Sequence, residues 1–169
     1  MTALVFAPRF LFLSANAALV RAQLQGQQVT LQVAQPLRDE VSTDEITPVP
    51  VLVHFDATLG RYPYTGFTAA DGQRPVGVDA VGQAGVEAVV AGARYGKGSS
   101  REHSVVAERS AGVRLVIAPS FERIYRQNPT TRPCALCSSG VARPWRSRPG
   151  CAATPAPPTR PRSRWMPAG

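Results

Sequence analysis

The stretch VEAVVAGARYGKGSSREHSVVAERSAGVRLVIAPSFERIYRQ, residues 86–127, decides the fold. Val86 to Gly92 is apolar and reads as a buried strand. Ala93 to Gly98 is a glycine-rich loop. Ser99 begins a helix that runs to about Ala111, and Gly112 stops it. Val113 to Ala118 is a second, β-branched strand. Pro119 and Ser120 start a further helix through Gln127. Strand, loop, helix, strand and helix, with continuously apolar strands, predict an α/β fold built on a parallel pair with a right-handed crossover.

Upstream, Phe10 to Leu13 reads as a short buried strand. Ser14 caps a helix over Ala15 to Leu24, ended by Gly26. The stretch Ala3 to Val20 is apolar in the manner of a signal peptide, but Pro8 and Arg9 interrupt it and no basic residue precedes it. Strand and helix are therefore the expectation there. Val29 to Val33 alternates as a second strand, ended by Pro36. Asp39 to Pro48 is polar and turn-like. Val49 to Phe55, interrupted by Pro50, reads as an edge strand or a loop entering one. Tyr62 to Gly85, rich in Gly, Pro and polar residues, reads as a surface excursion. No apolar run approaches the ~18–20 residues of a membrane span.

Charge divides the 169-residue chain. Its net charge is +8, yet residues 1–128 hold all 11 acids and 12 of the 19 bases. Residues 129–169 hold seven Arg, no acid, all three Cys and nine of the 16 Pro. The nearly neutral body argues against a nucleic-acid-binding domain. The body also has no Cys, which excludes disulfides and thiolate-held zinc or iron there. Cys134 and Cys137 form a CxxC with no second pair, an incidental spacing. Residues 1–128 are expected to form one domain, and 129–169 a disordered tail, because a Pro- and Arg-rich segment buries too little apolar surface to offset its ordering entropy.

The sharpest chemical feature is YGKGSSREH, Tyr95 to His103. Gly96 and Gly98 allow a tight turn, and the helix start offers unpaired N–H groups with a positive dipole end. Ser99 and Ser100 add hydroxyls, and Arg101 adds a fork that grips a carboxylate. The combination suits a small anion. Ser99 and Glu102 also have capping-box spacing, which needs no ligand. His103 faces the loop or packs inward. Asp44, in STDEITP at 42–48, accepts a proton or hydrogen bond, or simply completes a turn. Pattern alone leaves these alternatives open.

Taken together, VVAGARYGKGSSREHSVVAERSAGVRLVIAPSFERIYRQN (89–128) and VSTDEITP (41–48) resemble the swivel domain of the aconitase family, the small subunit in isopropylmalate dehydratases. The resemblance implies a swivelling β/β/α domain and a part in a hydro-lyase reaction, as in leucine biosynthesis, in the cytoplasm. A hydroxy di- or tricarboxylic acid loses water and regains it at the neighbouring carbon. In the family, a [4Fe–4S] cluster in the large subunit or cluster-binding domain binds the substrate hydroxyl as a Lewis acid. The swivel domain supplies a serine general base. By motif position that serine is Ser99, with Ser100, Arg101 and Gly98 binding substrate carboxylate, and with Asp44 and His103 in support. No cofactor or metal is expected on this chain itself, no specific nucleic acid and no membrane. It is not expected to be active alone.

Past Asn128 the family pattern, Asn-x-x-Asn followed by Gly-Leu, gives way to Asn-Pro-Thr-Thr-Arg-Pro. Shifted by one base, the codons of Pro129-Thr130-Thr131 can encode Ala-Asp-Asn. The expectation is a C-terminal truncation by frameshift, with the tail read off-frame. The rival reading is an inactive remnant whose basic tail binds nucleic acid or acidic surfaces nonspecifically, with steep salt dependence.

Overall fold

The structure, a computed structural model, describes residues 8–54, 56–98, 102–127 and 135–138, with Gln127 and 135–138 described by backbone alone. It is an α/β arrangement around one small parallel sheet. The strands are β1 (Phe10–Phe12), β2 (Ala88–Val90), β3 (Leu115–Ala118) and β4 (Ala135–Ser138), in the order β1-β2-β3-β4. All three pairings are parallel. Leu11 faces Val89, Val89 faces Val116, and Val116 faces Leu136. The predicted β2–helix–β3 crossover is present. Strand β4 falls inside the stretch that composition assigns to a tail. The rest of the tail lies outside the described residues.

Six helices accompany the sheet among the described residues. They are α1 (Ala17–Leu24), α2 (Leu31–Ala34), α3 (Thr43–Ile46), α4 (Ala80–Gln83), α5 (Glu102–Ser110) and α6 (Arg123–Gln127). Asn16, not Ser14, caps α1. Its Oδ1 accepts from Ala18 N at 2.9 Å, while Ser14 Oγ accepts from Asn16 N at 3.1 Å. Ala17, Val20 and Gln23 form the buried stripe of α1. Gln23 closes the free edge of the sheet. Its carboxamide accepts from Phe12 N at 2.8 Å and donates to Phe12 O at 3.1 Å, replacing the ladder bonds that a further strand would make.

That closure bears on one correction. Val29 to Val33 alternates like a strand, but Leu31–Ala34 is the single turn α2, with Leu31 and Val33 exposed. Alternation specifies a strand only where a partner edge is open, and at Phe12 that edge is taken by Gln23. Val49 to Val51 is likewise a 3₁₀ turn and not an edge strand. Pro50 removes a ladder donor there.

The largest correction concerns residues 62–85. Tyr64 and Phe67 are fully buried, and Val76 and Val81 join the same core as Leu11, Leu13, Val89, Val113 and Val116. A Gly- and Pro-rich segment can cross a core when its few large side chains face inward. Here Tyr64 also places its hydroxyl on a buried acceptor, Glu108.

Candidate functional site

The loop Ala93–Gly98 leaves the carboxyl end of β2, where open parallel sheets bind ligands. It runs between two other segments. On one side, Gly96 N and Lys97 N donate to Val41 O at 2.8 and 3.2 Å, and Thr43 N donates to Lys97 O at 2.8 Å. On the other, Tyr95 N donates to Ser120 O at 3.0 Å, and Glu122 N donates to Tyr95 O at 2.9 Å. The loop thus stitches residues 41–43 to residues 120–122, which are far apart in sequence.

Two glycines are demanded by this seating. At Gly96, φ is +81° and an added Cβ would meet Tyr125 Cγ at 2.2 Å. At Gly98, φ is +117° and a Cβ would stand 3.1 Å from Thr43 Oγ1. Backbone of other residues does not readily adopt these angles.

Residues 42–46 are held by a capping box. Ser42 Oγ accepts from Glu45 N at 3.1 Å, and Glu45 Oε2 accepts from Ser42 N at 2.8 Å. The box places Asp44 in the first turn of α3, exposed to solvent beside the loop. Helix α5 holds this turn from below, where buried Ser104 Oγ donates to Thr43 O at 3.3 Å.

The described cations of the loop are paired. Lys97 Nζ contacts Glu40 Oε2 at 2.8 Å, and Arg94 bridges Glu40 and Glu122. The Lys97 hydrogen bond and charge, with Arg94, hold the Glu40 carboxyl below the ordinary glutamate range. Both loop cations are thus engaged by carboxylates of neighbouring segments.

Of the predicted site residues, the structure brings Gly98, Asp44 and His103 to one end of the sheet. Gly98 is exposed, Asp44 lies across the paired segment, and half-buried His103 sits in the first turn of α5. Ser99, Ser100 and Arg101 lie outside the described residues, as does the Ser99–Glu102 capping box. Among the described residues α5 starts at Glu102.

Sequence reasoning missed a buried cluster beneath the loop. Glu108 on α5 is fully buried, and the hydroxyls of Tyr64, Tyr95 and Tyr125 all donate to its carboxyl group at 2.5 Å. Glu108 lies one turn beyond Ser104 on the buried stripe of α5, and nothing in the sequence marks it apart from the other acids.

Fold and site together define a parallel α/β domain with a glycine-loop site at the carboxyl ends of its strands. Residues 72–133, the segment that carries the loop, match the family model of the aconitase C-terminal domain. The chain is similar to the 3-isopropylmalate dehydratase small subunit of Deinococcus deserti, with 44% identity over 92 residues, covering 54% of this chain and 46% of that one. A second such small subunit, from Methanopyrus kandleri, is 44% identical over 96 residues, covering 56% and 52%. A crystal structure of 3-isopropylmalate dehydratase from Methanocaldococcus jannaschii is 34% identical, covering 54% of this chain and 50% of that chain, with a TM-score of 0.43. The chain spans about half the length of these relatives.

Proposed function

We propose that the chain is the swivel-domain component of an aconitase-family hydro-lyase of the 3-isopropylmalate dehydratase kind. It acts in the cytoplasm with a cluster-bearing large subunit on a hydroxy di- or tricarboxylic acid. The observation that carries the reading is the pairing of residues 41–43 with the glycine loop, which sets Ser42 beside Lys97 and so the STDE turn beside the glycine loop. These are the two motifs that the family resemblance singles out.

In this reading Ser99 is the general base and takes a proton from the carbon next to a carboxylate as hydroxide leaves the neighbouring carbon. A serine alkoxide needs an electropositive site shielded from water. The N-terminus of α5, the Gly98 amide and Arg101 supply that field. Ser100, Arg101 and the Gly98 amide hold the carboxylate, while Asp44 and His103 support the loop. Among the described residues no three His, Cys, Asp or Glu side chains converge as metal ligands would. In this reading the [4Fe–4S] cluster belongs to the partner, as the family resemblance implies.

The test is co-expression with such a large subunit, followed by an assay of hydration of the unsaturated acid. Activity in the pair, lost by a factor of about 10³ or more in Ser99→Ala, supports the reading, since removing a proton-transfer group costs about 10²–10⁴-fold. Equal activity in that variant removes Ser99 from the mechanism. No association with the large subunit overturns the assignment.

A further inference from the structure

Glu108 has no place in the chemistry proposed above, yet three segments converge on it. Tyr64 and Tyr95 both donate to Oε1, and Tyr125 donates to Oε2. The Tyr64 and Tyr95 hydroxyls also lie 2.8 Å apart. All four residues are buried to at least 99%.

Burying a carboxyl group is expensive, and an apolar side chain of similar volume is often as stable or more so. What Glu108 provides instead is position. Two of its three partners form the seat of the glycine loop. Tyr95 lies within the loop and bonds through its backbone to Ser120 and Glu122. Tyr125 presents its ring to Gly96, so closely that no Cβ fits between them. The Tyr95 and Tyr125 rings meet edge to face, 5.2 Å between centroids. Glu108 itself belongs to α5, whose first described residue is Glu102.

We propose that Glu108 is a positioning residue. Through the hydroxyls of Tyr95 and Tyr125 it fixes the loop Tyr95–Gly98 against α5, and so fixes both ends of the segment Ser99–Arg101. The functional part of this inference rests on the reading of Ser99 as the base. The structural part does not.

Amide hydrogen exchange on the full chain separates the two. The reporters are the amides of Gly96 and Lys97, bonded to Val41 O, against the sheet amides of Leu13 and Ala91, bonded to Val90 O and Ile117 O. In Glu108→Gln, loop protection should fall at least about tenfold further than sheet protection, because local opening is then decoupled from global unfolding. Tyr125→Phe keeps the ring against Gly96, removes one hydrogen bond, and should move the same two amides in the same sense. It also serves if Glu108→Gln does not fold. Equal losses at loop and sheet, or no change at either, would make Glu108 an ordinary core residue and overturn the proposal.

The activity arm uses the chain paired with a large subunit. There Glu108→Gln should lower kcat about tenfold or more, since small misplacements of a reacting group are costly. An unchanged kcat beside loosened loop amides would overturn the link to Ser99. An inactive wild-type pair would instead refute the functional reading, and the exchange result would still decide the positioning role.

Discussion

The backbone of Gly96 lies directly on the ring of Tyr125: a Cβ at Gly96 would come within 2.2 Å of Tyr125 Cγ and 2.4 Å of its Cβ. This contact joins the glycine loop to α6 and explains a glycine that anion binding alone does not require.

Gly96→Ala should therefore destabilise the chain by roughly 2–4 kcal/mol, adding overpacking to a strained positive φ. Gly72 makes the control. It has φ +78° with nothing within 4 Å of an added Cβ, so Gly72→Ala should cost only about 1 kcal/mol. Urea midpoints of the two variants decide the matter, and equal losses would place the Gly96 effect in φ alone.

Ser42→Ala should lower stability by about 1 kcal/mol, the usual worth of an N-cap side chain. The capping box is reciprocal, so Glu45→Gln should keep much of it while Glu45→Ala does not. Chemical denaturation of the three variants tests this, and a neutral Ser42→Ala would show that α3 is held by its neighbours alone.

Burial raises the pKa of Glu108 above the ordinary carboxylate range, against the lowering effect of its three phenol donors. A native pKa raised above the unfolded one gives stability that is complete below the unfolded value and is lost as pH rises through the native value. Glu108→Gln removes that loss. The stability of the variant relative to wild type should therefore shift in the variant's favour as pH rises above the ordinary carboxylate range. Unfolding curves at several pH values read the slope, and a shift in the opposite sense would mean that the three phenols outweigh burial.

Glu40 behaves in the opposite way. Its lowered pKa means that its contribution is present above the unfolded value and fades as pH falls through the native one. Being exposed, its pairs with Lys97 and Arg94 are screened by salt. Glu40→Gln should have a small effect that shrinks in high salt, and a salt-independent loss would point to a different role for Arg94.

Sequence alone determined the elements whose signal is local. The strands β2 and β3 are apolar runs bounded by glycines or, after β3, by Pro119, α5 lies between them, and the only economical arrangement is a parallel crossover. The same holds for the glycine loop, because Gly96 and Gly98 have no other local use. The STDE turn was legible as a turn, and its motif pointed to the site.

Tertiary structure decided everything that depends on which segments meet. Val29 to Val33 has strand alternation, but Gln23 occupies the sheet edge at Phe12, so the segment turns into α2. Residues 62–85 look like surface by composition, yet Tyr64 enters the core because a buried acceptor waits for its hydroxyl. Glu108 is one acid among 11 in the sequence. Only the fold gathers three phenols from three distant segments around it, since hydrogen bonds between such segments leave no periodicity for a sequence to display.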